Sequence, residues 1–315
     1  MKHNSVIVFF ILWGLSTAAS AQQTAVKSMQ DLAYPADTKK VTLPDGVQIA
    51  CIDRGTGPVT LLFVHGLGAN LKAWQKNVDS LSGSYRCIAL DLPGYGKSGQ
   101  GDFQFGMSFF AAHLRAFMEV LDLKNVVLVG HSMGGQIALT AALQDTARLK
   151  KLVLIAPAGI ETFTEAEKAW FQAVYTPEVV KNTPVEQIRR NFTVNFFQWP
   201  PDAEFMYEDR LLLRETSEWD AWCRMIPQCV SGMLNEPVFD RLQQIKLPTL
   251  VLYGENDYLI PNKILHKNQN TLQIAQLAQA SIPGSRLKML PNCGHFAQWE
   301  QAALVNTAIR EFLTE

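Results

Sequence analysis

Cysteine is scarce in this chain, with five in 315 residues. That supply is too thin for a scaffold held together by disulfides. No cysteine stands in a Cys-x-x-Cys or Cys/His spacing, so no zinc or other metal site is expected. The cysteines read as small buried hydrophobes, Cys51 and Cys87 within apolar strand-like runs. A bridge between Cys223 and Cys229, six apart across Pro227, stays open as an alternative. An excess of one charge is also missing: 28 Lys and Arg face 29 Asp and Glu, a net charge of −1. Without a basic stripe, nucleic acid is not an expected partner. Long apolar runs are lacking as well. Val6 to Leu15 (VIVFFILWGL) falls short of the roughly 20 residues that span a bilayer. It follows Lys2 and His3 and precedes Ala19 and Ala21 in an A-x-A arrangement, which reads as a secretory signal over residues 1–21 cleaved after Ala21. The alternative is an uncleaved membrane anchor. A lipid anchor is disfavoured, because Gln22 rather than a cysteine would follow the cut. The expected mature chain is exported, periplasmic in a bacterium and secreted otherwise, with no stable membrane span after cleavage.

What is present is a globular balance, 48% apolar and 18% charged, enough for one large domain with an insertion or for two domains. From Val47 onward, strand-like and helix-like periods alternate. The continuous apolar run 59–64 (VTLLFV) predicts a strand buried on both faces, as in a parallel sheet, and further strands are predicted at 85–90 (YRCIAL), 126–129, 152–155, 250–253 (LVLY) and 287–290. Ser108 is a candidate cap for a helix whose Phe110, Leu114, Phe117 and Leu121 share one face. A final helix is predicted over 297–313, with Trp299, Ala303, Ile309 and Phe312 facing inward. The fold class is therefore α/β, a mostly parallel sheet flanked by helices. Residues 158–245 break the rhythm. They contain no clear strand, carry helix-compatible segments interrupted by six prolines, Pro227 among them, and hold Trp170, Trp199, Trp219 and Trp222. This segment is expected to be a helical cap, or lid, over the carboxyl edge of the sheet, where open α/β sheets bind ligands. Residues 22–157 and 246–315 would form the core.

The chemistry centres on Gly130-His131-Ser132-Met133-Gly134, which follows a predicted strand and opens a predicted helix. A serine hydroxyl becomes a nucleophile only with a base, a group that orients the base, and donors for the oxyanion. Glycines two residues before and after the serine let a strained turn present it. The acid and histidine should follow at later strand ends. Asp257, in YGENDYLIP, and His295, in PNCGHFAQWE, hold those places, with Glu255 and Glu161 as rival acids. His65 and His131 flank glycines and read as turn residues; His266 lies in a polar stretch. The oxyanion hole would be built from the backbone N–H groups of Met133 and, in the loop His65-Gly66-Leu67-Gly68, Leu67. Gly94-Tyr-Gly96-Lys-Ser-Gly99 matches a dinucleotide fingerprint, but Asp-Leu-Pro separates it from its strand and a further loop follows, so no cofactor is expected.

HGLGANLKAW (65–74), DLPGYGKS (91–98), GHSMGG (130–135), GENDYLIP (254–261) and GHFAQWE (294–300) occur in the order of the α/β-hydrolase-fold family, and the chain resembles its lidded members. It is most similar to the branch of meta-cleavage-product hydrolases, haloperoxidase-like esterases, monoacylglycerol lipases and secreted bacterial lipases. Haloalkane dehalogenases and epoxide hydrolases share two of these segments but use an aspartate where Ser132 stands. One departure is visible: the interval from Asp257 to His295 holds additional residues around 267–279. The resemblance implies an esterase or lipase that acts through an acyl-enzyme on a small ester with an apolar acyl or aryl group. The alternatives are a carbon–carbon hydrolase using the same triad and a non-catalytic ligand-binding protein on this scaffold. The aromatic crowd FTVNFFQWP (192–200) reads first as lid core and second as pocket wall.

Overall fold

The computed structural model describes residues 27–314; the expected signal segment lies outside them. Eight strands form one sheet: β1 (Lys39–Thr42), β2 (Gln48–Arg54), β3 (Thr60–Val64), β4 (Arg86–Leu90), β5 (Val126–His131), β6 (Leu149–Ile155), β7 (Thr249–Gly254) and β8 (Arg286–Leu290). Their order is β1-β2-β4-β3-β5-β6-β7-β8. Strands β3 to β8 run parallel, and β2 is antiparallel to both β1 and β4. The N-terminal β1 is short and exposed except at Val41, and it lacks a continuous apolar run; β2 is seven residues long and buried over 49–52.

The alternation of side chains decides the layers. Leu62, Val64, Leu128, Leu152 and Leu154 point to one face, covered by α2 (Met107–Val120) and α3 (Met133–Gln144). Leu61, Phe63, Val127, Val129 and Val153 point to the other, where α1 (Gln75–Leu81) and α11 (Ala302–Leu313) pack. Between β6 and β7 lie five α-helices, two short 3-10 turns and no strand: α4 (Glu165–Val174), α5 (Pro177–Lys181), α6 (Val185–Thr193), α7 (Glu204–Leu213) and α8 (Trp219–Asn235), with the 3-10 turns at Pro201–Ala203 and Phe239–Gln244. Helix α9 (Thr271–Ser281) and the short α10 (Ala297–Glu300) complete the set.

Several local expectations are corrected. Ser108 lies inside α2; the helix starts after Gly106, and its first N–H groups are satisfied by Glu236, which accepts from Met107 N (3.1 Å) and Ser108 N (2.7 Å). Pro227 does not end a helix but sits within α8. The predicted final helix is broken at Gln301, which leaves Ala303 exposed and brings Val305 and Ala308 inward. All five cysteines are free and buried. Cys223 and Cys229 share α8, where six residues at about 1.5 Å rise put them roughly 9 Å apart along the axis, beyond disulfide reach.

The chain leaves β3 for β4 on one side and returns to β5 on the other. This reversal opens a crevice at the carboxyl ends of β3 and β5, the place where α/β sheets bind ligands.

Candidate active site

Ser132 occupies the turn between β5 and α3 with φ +53° and ψ −118°. A non-glycine residue in this region carries roughly 1–3 kcal/mol of strain, retained only when the surroundings enforce it. Here they do. The Ser132 N–H donates to the Ile155 carbonyl (3.0 Å), and the Ser132 carbonyl accepts from Gly135 N (2.8 Å) and Ala158 N (3.0 Å). The flanking glycines are required by close backbone approach. A Cβ on Gly130 would stand 2.3 Å from the Gly134 carbonyl oxygen, and one on Gly134 would stand 2.3 Å from that of Val64.

The histidine and the acid meet at the neighbouring strand ends. His295 Nδ1 is 2.8 Å from Asp257 Oδ2, with both side chains buried. The other carboxyl oxygen, Oδ1, accepts from Leu259 N (2.8 Å) and Ile260 N (3.0 Å), so the carboxylate is oriented from both ends. Of the rival acids, Glu255 is exposed to solvent. Glu161 bonds instead to Asn262 N (2.7 Å) and His266 Nδ1 (2.5 Å). The additional residues between Asp257 and His295 belong to α9 and its approach. Thr271, its first residue, donates to the carbonyls of Asp257 (3.1 Å) and Ile260 (2.9 Å) and so ties down the acid loop.

His131 and His65 do more than shape turns. His131 lies with Nε2 3.0 Å from the His295 carbonyl oxygen and so donates to it, its ring 4.8 Å from that of His295. Burial, and then the neighbouring His295, hold its pKa well below the ordinary value, so it is a neutral support. His65 donates from Nδ1 to the Gly66 carbonyl (2.8 Å) and accepts at Nε2 from Leu92 N (3.1 Å). Leu67 lies in the turn that follows, closed by Ala69 N to the Gly66 carbonyl (3.2 Å), with Gly68 at φ +69°. Met133 is buried at the first position of α3, where a backbone N–H has no intrahelical partner. A Cβ on Gly66 would be 3.1 Å from that of Ser132, so this loop and the serine turn are in contact.

The glycine-rich stretch 94–99 wraps a buried carboxylate. Asp91 accepts from Leu71 N (2.7 Å) and Lys97 N (2.8 Å), and a Cβ on Gly96 would fall 2.1 Å from Asp91 Oδ2. Burial pushes the Asp91 carboxyl up to about 7.

The motif around His295 also holds the inserted helices. The Asn195 carbonyl accepts from His295 N (2.7 Å), and Glu300 accepts from Gly294 N (2.7 Å) and Gln198 N (2.8 Å). A Cβ on Gly294 would be 2.6 Å from the Asn195 carbonyl oxygen. The contacts of Gly294 with Asn195 and of Glu300 with Gln198 have no sequence signal beyond the motif itself, because these partners lie about 100 positions away. Phe192, Phe196 and Trp199 pack with Phe205, Phe296 and Trp299 as a separate apolar cluster, the lid-core reading of FTVNFFQWP.

Ser132 and His295 both line a cavity of about 570 Å³. Its apolar wall comes from Phe163, Phe171, Tyr175, Val230, Met233 and Leu234, and Glu161, Asp240 and Lys168 are its charged groups. Among the described residues no group of three or more His, Cys, Asp or Glu could hold a metal ion, and no helix is long and apolar enough to cross a membrane.

A sheet of this order, with a serine at the β5–α3 turn, defines an α/β hydrolase. The chain belongs to the alpha/beta hydrolase fold family, whose model matches residues 59–302. It is a hydrolase of that family, which acts on small molecules. It is 28% identical over 269 residues to the 2-hydroxy-6-oxononadienedioate/2-hydroxy-6-oxononatrienedioate hydrolase of Escherichia coli K12, covering 83% of this chain and 89% of that protein. It shares its fold with a probable hydrolytic enzyme of Pseudomonas aeruginosa PAO1 (TM-score 0.78, 24% identity, 91% of this chain and 98% of that one). It is also similar to a thermophilic esterase of Thermogutta terrifontis (TM-score 0.70, 26% identity, 89% and 98%).

Proposed function

We propose that the protein is a serine hydrolase that cleaves carboxylic esters. His295 takes the proton of Ser132 Oγ as the hydroxyl attacks the ester carbonyl. Asp257 keeps the Nδ1–H tautomer and stabilises the imidazolium. The N–H groups of Leu67 and Met133 receive the oxyanion. His295 returns the proton to the leaving alcohol, and water then hydrolyses the acyl-enzyme. The observation that carries this reading is the Asp257–His295 contact at 2.8 Å beside a cavity that Ser132 also lines.

Residues 158–245 serve as the cap. The aromatic and aliphatic wall that α4 and α8 give the cavity suits an apolar acyl or aryl group. The similarity to a dienedioate hydrolase supports a second reading, carbon–carbon cleavage by the same three residues. Charge argues against it. A dioate carries two carboxylates, whereas this cavity presents Glu161 and Asp240, and its Lys168 is paired with Glu165 at 2.7 Å. Export is proposed from the Val6–Leu15 run and the Ala19-x-Ala21 site.

The test is hydrolysis of p-nitrophenyl esters from acetate to palmitate by residues 22–315, with Ser132→Ala alongside. Turnover that depends on chain length and vanishes in the variant is the expected result. Inactivity of the wild type on every ester, with turnover of a 2-hydroxy-6-oxo-dienoate, would replace the ester reading with carbon–carbon hydrolysis.

A further inference from the structure

The loop that would bear one oxyanion donor contains two glycines, Gly66 and Gly68, so its own backbone restrains it weakly. Its outer end is held from the inserted segment. Arg210, on α7, donates from Nη2 to the Gly68 carbonyl at 2.6 Å. The guanidinium carbon lies 3.9 Å from the centroid of the Trp222 ring and 5.4 Å from that of Phe192, so it packs against both rings. Its neighbour Asp209 does not pair with it. The Asp209 carboxylate is 2.6 Å from Lys72 Nζ and accepts from Asn70 Nδ2 at 3.4 Å. Two adjacent residues of α7 thus grip the loop at positions 68, 70 and 72. Desolvation of Arg210 lowers it to about 10, which leaves it a cation at neutral pH. A cation bonded to a neutral carbonyl, where an adjacent carboxylate goes elsewhere, is an expensive arrangement to keep for stability alone.

We propose that Arg210 is a positioning residue for the oxyanion loop: by holding the Gly68 carbonyl it fixes the Leu67 N–H relative to Ser132. The proposal rests on the assignment of Ser132 as nucleophile and of the Leu67 N–H as an oxyanion donor. It makes the oxyanion hole complete only while α7 is docked on the loop, so cap placement and catalytic competence are coupled. A displaced donor weakens the hydrogen bond to the oxyanion more than it weakens substrate binding. The effect therefore falls on kcat.

The experiment compares wild type, Arg210→Met and Arg210→Lys in the mature chain. Three quantities are read: kcat and KM on the best p-nitrophenyl ester, the Ki of an alkyl boronic acid, and the melting temperature. A boronic acid forms a tetrahedral anionic adduct on the serine and so reports the oxyanion hole. The expected result for Arg210→Met is a kcat lower by about tenfold to a hundredfold, less than the loss of a whole donor, with KM within about twofold. The boronic acid should weaken by a similar factor. Arg210→Lys, which keeps a cationic donor, should recover part of both and also serves if the methionine variant does not fold. A rise in KM at constant kcat would overturn the proposal and make Arg210 a substrate contact. A kcat loss without a change in boronic acid affinity would overturn it too. A wild type that neither turns over esters nor binds the boronic acid would refute the serine-hydrolase reading and this proposal together, whereas an active wild type with unaffected variants refutes only the role of Arg210.

Discussion

Acid should destabilise this protein partly through His65. The ring is fully buried, donates from Nδ1 to the Gly66 carbonyl at 2.8 Å, and accepts at Nε2 from Leu92 N at 3.1 Å. Both nitrogens are thus satisfied only in the neutral form, and a second proton would set Nε2–H against the Leu92 N–H. Burial accordingly pulls its pKa from 6.5 to about 4. In the unfolded chain His65 titrates near 6.5, so between pH 6.5 and 4 the unfolded state binds more protons and stability falls as pH falls. The stabilising contribution is fully present above pH 6.5. At about 1.4 kcal/mol per pH unit, the loss by pH 4 is about 3 kcal/mol. The perturbation is His65→Asn, whose amide nitrogen approximates Nδ1 and which does not titrate. Urea unfolding at pH 4 to 8 measures the stability gap between the two proteins, and contributions shared by both, such as that of His131, cancel. The variant should be less stable at pH 8, and the gap should narrow by about 3 kcal/mol by pH 4. A gap independent of pH would refute the account of His65 as a neutral, doubly bonded strut.

Three further outcomes are expected. Asp257→Asn keeps the Oδ1 acceptor for Leu259 and Ile260 but puts an NH2 against His295 Nδ1; kcat on esters should drop by about 10⁴-fold with the melting temperature little changed. Gly134→Ala places a Cβ 2.3 Å from the Val64 carbonyl oxygen and 2.6 Å from that of His65, so α3 must move off β3; a loss of about 3 kcal/mol in urea unfolding, with loss of activity, is the expected result. Burial pushes the thiols of Cys51, Cys87 and Cys229 up to about 12 and Cys223 to about 11; a thiol reagent should titrate no cysteine in the native protein and all five in denaturant, and a fast-reacting native thiol would contradict this.

The legible parts of this protein are those whose signal is local. The central parallel strands are legible because burial on both faces demands apolar runs, as in Thr60–Val64 and Thr249–Gly254, each buried throughout; β8, at the sheet edge, is buried only at Leu290 and carries Lys288 in its middle. The strand β1 is not legible, since its burial is confined to Val41. The start of α2 after Gly106 is not legible locally, because its capping carboxylate, Glu236, is supplied from the far end of the inserted segment. Pro227 does not break its helix, because the hydrogen bond a proline costs is outweighed by the packing of α8, more than half of whose residues are buried.

The sequence by itself determined the parallel sheet, its carboxyl-edge crevice and the candidate trio Ser132, Asp257 and His295, because strand patterning and short glycine-bearing turns are written in contiguous residues. Only the tertiary structure set the rival acids Glu255 and Glu161 apart from His295, showed how His131 and His65 brace the site as neutral rings, and brought α7 to the loop at Gly68 through Arg210. Those contacts join residues between 27 and 164 positions apart. Such pairings follow from how helices and loops dock, and no local pattern of residues encodes the docking.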